Sequence, residues 1–90
     1  MFLGRVIGNI VATQKEPKYE GKALLVVQPI AIEGHDDGIA MVAVDSVGAG
    51  VGETVLVVVE GRSTAIAMHR KLVSANAAIV GIVDHIDWEK

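Results

Sequence analysis

Along the chain, short runs of β-branched and aliphatic residues are separated by Gly, Pro, Asp and Asn, the spacing of a small all-β barrel or sandwich. Five strands are predicted, over Leu3–Thr13, Ala23–Ile32, Ala40–Ser46, Thr54–Glu60 and Ala77–Ile86. Between them, Gln14–Gly21 reads as a charged surface loop containing Pro17. Gly34-His35-Asp36-Asp37-Gly38 reads as a second surface loop, built from residues that tolerate positive φ or bond their own backbone. After Gly61 the period changes. Ser63 or Thr64 can serve as N-cap, and Ala65, Met68 and Leu72 recur at helical spacing, which predicts a short helix covering one end of the barrel.

Several strands do not alternate between apolar and polar positions. Val55-Leu56-Val57-Val58-Val59 and Ala78-Ile79-Val80 are apolar on both faces, whereas a small barrel in water needs only its inward face apolar. In a parallel α/β protein helices would cover the second face, but this sequence has room for one short helix only. Neighbouring copies of the chain are the economical cover. About five large aliphatic side chains hidden this way, at roughly 1.5–3 kcal/mol each, would rival the stability of the single copy.

Composition points the same way. Ninety residues make one domain, expected to span 1–90, and 51% of them are hydrophobic with a mean hydropathy of +0.46, more apolar material than so small an interior hides. The apolar runs Ala23–Val27 and Val55–Val59 fall far short of the roughly 20 residues of a membrane span. Met1-Phe2-Leu3 is interrupted at once by Gly4-Arg5, so no secretory signal is read and a cytoplasmic location is expected, which the absence of Cys fits. The formal charge is −3, and the eight Lys and Arg are scattered rather than gathered in a stripe, which makes nucleic acid a poor partner.

Candidate chemistry is sparse. Asp45-Ser46-Val47-Gly48-Ala49-Gly50-Val51-Gly52-Glu53 superficially resembles a dinucleotide- or phosphate-binding loop, but such loops open a helix, and here the predicted strand Thr54–Glu60 follows. A tight loop between strands, where missing side chains let the backbone of one subunit approach another, fits better. His35, Asp36 and Asp37, and likewise Asp84, His85 and Asp87, lie in or beside turns without Cys and without zinc or calcium loop spacing, so they read as solvated turns. His69 has no nucleophile and orienting acid in a recognisable pattern around it. No catalytic residue, cofactor or metal is expected.

Three segments carry a resemblance. Gly4-Arg5-Val6-Ile7-Gly8-Asn9-Ile10-Val11-Ala12-Thr13-Gln14-Lys15, then Ala43-Val44-Asp45-Ser46-Val47-Gly48-Ala49-Gly50-Val51-Gly52-Glu53, and finally Ala78-Ile79-Val80-Gly81-Ile82-Val83-Asp84 resemble, in order and spacing over nearly the whole chain, the EutN/CcmL family. The resemblance implies a barrel related to the OB fold, assembled as a cyclic homo-pentamer that plugs the vertices of bacterial microcompartment shells, carboxysomes or metabolosomes. Hexameric or pseudo-hexameric shell proteins would be its neighbours. Asp45, Ser46, Gly48, Ala49 and Gly50 would then lie at the subunit interface around an axial opening, with Lys15 and Lys18 of the charged loop as candidate contacts to shell tiles. The chain departs from the family pattern in two places, at Gly61-Arg62-Ser63-Thr64-Ala65, where members often carry Gly-Ser-Ser-Ala-Arg, and at Val73-Ser74-Ala75-Asn76, where Pro-Val-Asp is common.

A single-stranded nucleic-acid binder on the same OB-type barrel is the alternative from another class. Such modules stack bases on aromatic rings in a basic groove, and this acidic chain has only Phe2, Tyr19 and Trp88.

Overall fold

The computed structural model describes residues 1–11, 22–59 and 77–89, and they form a closed five-stranded barrel. The strands are β1 Phe2–Ile10, β2 Ala23–Ile30, β3 Met41–Asp45, β4 Thr54–Val59 and β5 Ala77–Val83. Around the barrel they run β1-β2-β3-β5-β4, with β4 closing back onto β1. The meander β1-β2-β3 with β4 returning beside β1 is a Greek key, and β5 fills the remaining gap. It lies antiparallel to β4 and parallel to β3. A five-stranded Greek-key barrel is the OB-type architecture, as the family resemblance implies.

Inward positions follow a strict period of two. Val6, Leu25, Val27, Ala43, Val55, Val57, Ala77 and Ile79 are buried together, with Phe2, Met41, Ala49 and Val59 packed against them. Small and β-branched residues dominate because five strands enclose little space. The outward partners in β4, Leu56 and Val58, are only half-buried. The run that is apolar on both faces therefore has its inner face sealed and its outer face open in part.

Two β-bulges interrupt the ladders. Val6 pairs with Val27 and Gly8 with Val26, which leaves Ile7 as the extra residue of β1. Leu56 pairs with Gly81 and Val57 with Ile79, which leaves Val80 extra in β5. Both bulge residues are exposed aliphatics. Bulges bend strands and let a short sheet curl to closure.

The strands match the expected ones with shorter ends. β2 stops at Ile30 rather than Ile32 because the chain turns at once: the Gly34 N–H donates to the Ala31 carbonyl at 2.8 Å, the Ala31 N–H to His35 at 2.9 Å and the Asp37 N–H to Pro29 at 2.9 Å. β3 is trimmed to Met41–Asp45. β5 ends at Val83 rather than Ile86 because its ladder partner in β4 begins at Thr54, opposite Val83. β1 ends at Ile10, and Val11 is irregular; the expected extension to Thr13 and the last residue of the fourth expected strand, Glu60, lie outside the described residues. The helix expected after Gly61, and with it His69, also lies outside them, and among the described residues there is no helix.

Candidate functional site: the loop between β3 and β4

β3 ends on Asp45, an inward carboxylate only 4% exposed, opposite Ile79 of β5. Such a group is tolerated there because it is used: Oδ1 accepts the Val47 N–H at 3.0 Å and Oδ2 accepts the Ala49 N–H at 2.9 Å. The first bond is an Asx turn and the second carries the same side chain across the next two residues, so one carboxylate organises the first half of the loop. Ala49 then packs onto the core.

Gly48 sits between these anchors at φ +85°, a conformation that a side chain makes costly. Nothing in the chain lies within 4 Å of a Cβ built there. Within the protomer, therefore, glycine is demanded by backbone conformation, and the space above Gly48 is open to another molecule.

The second half of the loop is a turn over Gly50–Glu53. The Glu53 N–H donates to the Gly50 carbonyl at 3.1 Å, and the Gly50 N–H donates to Glu53 Oε1 at 2.7 Å. The turn is tied to β1 by the Val6 N–H donating to the Glu53 carbonyl at 2.9 Å and the Gly52 N–H donating to the Val6 carbonyl at 2.8 Å. A loop with this many partners is held in shape before anything binds it. It leaves Ser46, Val47, Gly48 and Val51 exposed, and Ala49 and Gly50 half-buried.

The predicted interface residues Asp45, Ser46, Gly48, Ala49 and Gly50 thus lie together on one ordered loop, but in different roles. Asp45 is its internal organiser, while Ser46 and Gly48 face outward. Lys15 and Lys18 lie outside the described residues. The sequence reading missed Val6 and Glu53 as loop anchors, and Val47 and Val51 as its exposed apolar members. Asp followed by Ser-Val-Gly at a strand end is an Asx-turn signal that could have exposed the role of Asp45. No local signal marks the pairing with Val6, 47 positions before Glu53 in the sequence.

The His and Asp clusters are turn groups. Asp36 Oδ1 accepts from Arg5 Nη2 at 2.9 Å in an exposed ion pair, and Gln28 Nε2 donates to the Gly38 carbonyl at 3.0 Å, which together fasten the β2–β3 connection to the barrel wall. His85 Nε2 stands 3.5 Å from Asp87 Oδ2, both well exposed. Among the described residues no three His, Cys, Asp or Glu side chains converge on a point.

A small Greek-key barrel with a preformed glycine loop, and with aliphatic residues left on its outside, has the build of an assembly subunit. Residues 1–84 match the family model described as "Ethanolamine utilisation protein EutN/carboxysome", and the chain belongs to the EutN/CcmL family. It is 41% identical over 87 residues to the bacterial microcompartment shell vertex protein GrpN of Rhodospirillum rubrum, covering 97% of each chain. It is 45% identical to the shell vertex protein PduN of Salmonella typhimurium, covering 93% of this chain and 96% of that one. Among solved structures it superposes on the GrpN pentameric microcompartment shell protein from Rhodospirillum rubrum with a TM-score of 0.77 at 40% identity, covering 99% of this chain and 100% of that one.

Proposed function

We propose that this chain is a structural, non-enzymatic shell protein: a single-domain barrel that assembles as a ring of five and caps the five-fold vertices of a bacterial microcompartment in the cytoplasm. The observation that carries the proposal is the end-to-end likeness to a pentameric shell protein in both sequence and fold. The same likeness weighs against the single-stranded nucleic-acid reading, since the relatives are shell vertex proteins.

The mechanism is geometric. A flat layer of six-fold tiles cannot close, and units of five supply the curvature that turns a layer into a polyhedron. A ring needs head-to-tail contacts whose rotation closes after five copies, so the interface angle is the functional quantity. The loop from Asp45 to Glu53 is suited to set it, being rigid, exposed and apolar at Val47 and Val51. In this proposal Ser46, Gly48, Ala49 and Gly50, held in shape from beneath by Asp45, form the contact with the next copy around the axial opening, and hexameric or pseudo-hexameric shell proteins surround the ring.

Native mass spectrometry tests the assembly directly. The expected species has five times the 9.4 kDa chain mass, and a monomer persisting at high concentration would remove the basis of the proposal. Gly48→Val tests the loop: at φ +85° a β-branched residue costs about 1–2 kcal/mol and fills the open space above the backbone. The ring is expected to weaken or change its copy number, and an unaltered mass with normal shell closure would exclude Gly48 from the interface. Lys15 and Lys18 are proposed to meet the surrounding tiles. Reversing both charges is expected to impair co-assembly with the tiles while leaving the ring intact, and unchanged co-assembly would make Gln14–Gly21 a plain solvated loop.

A further inference from the structure

Beyond Val83 the backbone leaves the sheet. Thr54, the first residue of β4, is the partner of Val83, so β4 offers no ladder to Asp84–Glu89. On its other side, β5 meets β3 only at Ala78 and Ile79, and Val80–Val83 have no ladder partner there among the described residues. Every residue from Asp84 to Glu89 is exposed.

This arm is not uniformly polar. Ile86 and Trp88 are two positions apart, which puts both on one side of an extended chain. His85 and Asp87 come together on the other side, as the 3.5 Å approach of Nε2 to Oδ2 shows. Ile86 is 37% exposed and Trp88 43% exposed, and at the root of the arm the outward Val80 and Ile82 add further uncovered aliphatic surface. An amphipathic segment that follows the open edge of β5 and carries the chain's single Trp has the form of a segment that docks on a partner. Trp is the residue type most often found as an energetic anchor at interfaces, because it buries a large rigid surface at small entropic cost.

We propose that the arm Asp84–Glu89 is a clasp between copies of this chain: in the ring it lies as an extended segment on the next copy, with Ile86 and Trp88 seated against that copy's apolar surface. The occupant is a second copy because the solved relative that superposes on 99% of this chain, arm included, is a pentameric shell protein. The exposed Val47 and Val51 of the β3–β4 loop, and the exposed Ile7 next to the Val6 that bonds Gly52 and Glu53, give the next copy apolar surface to receive it. The clasp rests on the ring proposed above and adds to it the segment that holds neighbours together.

The single Trp makes the test direct. In the intact ring, Trp88 emission is expected to be blue-shifted and shielded from acrylamide, and to move to the solvent-exposed value on dilution to monomer. Trp88→Ala is expected to raise the concentration at which the ring dissociates by about tenfold or more, the scale of an anchor truncation, with Trp88→Phe recovering most of it. Circular dichroism of both variants should match the parent, since the arm is outside the barrel. A wild-type ring of five in which acrylamide reaches Trp88 freely, and from which Trp88→Ala dissociates at the same concentration, overturns the clasp and leaves the ring standing. A wild-type chain that is monomeric throughout overturns the ring, and the clasp with it.

Discussion

Gly4→Ala is expected to destabilise the barrel by about 1–3 kcal/mol, the usual cost of overpacking a filled core. Gly4 is a buried, inward position of β1, and a Cβ there would overlap Val27 Cγ1 while lying 3.4 Å from the Gln28 carbonyl oxygen and 3.7 Å from Phe2 Cε1. Val27 is itself completely buried and, being β-branched, has little freedom to turn away. For a domain of this size each kcal/mol shifts the melting temperature by roughly 4–8 °C, so the loss is readable by calorimetry at a fixed protein concentration. The control is on the same strand. A Cβ at Gly8 would meet Val26 at 3.9 Å, an ordinary contact, and Gly8→Ala is expected to leave stability nearly unchanged or to raise it by up to about 1 kcal/mol through the unfolded state. Equal effects at the two positions would mean that strand propensity, not packing, decides.

Asp45→Ala should damage the loop and the assembly together. The substitution strips two backbone N–H groups, those of Val47 and Ala49, of their acceptor in a part-buried site. Hydrogen bonds to a charged group contribute about 1.5–3 kcal/mol each, so a loss of a few kcal/mol is expected in urea unfolding. Asp45→Asn keeps one carbonyl oxygen and should fall between parent and alanine. If the loop sets the ring angle, native mass spectra of Asp45→Ala should show ring loss at concentrations where circular dichroism still reports a folded barrel. Ring and barrel melting in step would make Asp45 a residue of the fold alone.

Much of the fold was legible because a strand's period is written in consecutive residues. Ala23, Thr54 and Ala77 begin strands where the apolar runs begin, and Val55 and Val57 against Leu56 and Val58 show the two faces without any partner being known. Strand ends were less legible, since they depend on where the partner stops: β5 ends at Val83 because β4 starts at Thr54, a fact about another segment. The loop between β3 and β4 was located from its glycines, but its working parts were not. The bond from Val6 to Glu53 joins residues far apart in the chain, and the bulges at Ile7 and Val80 exist only relative to the strands opposite them.

The sequence by itself determined the strand count, the aliphatic excess, the scarcity of catalytic patterns and the family, because composition, periodicity and motif order are properties of the chain in order. Tertiary structure alone decided that Asp45 faces inward to hold the loop, that Gly4 is closed to any side chain, and that Ile86 and Trp88 stand beyond the last ladder pair. Each of those depends on which segment lies across from which. A strand carries its own period but not its neighbour, and barrel closure is what assigns the neighbours.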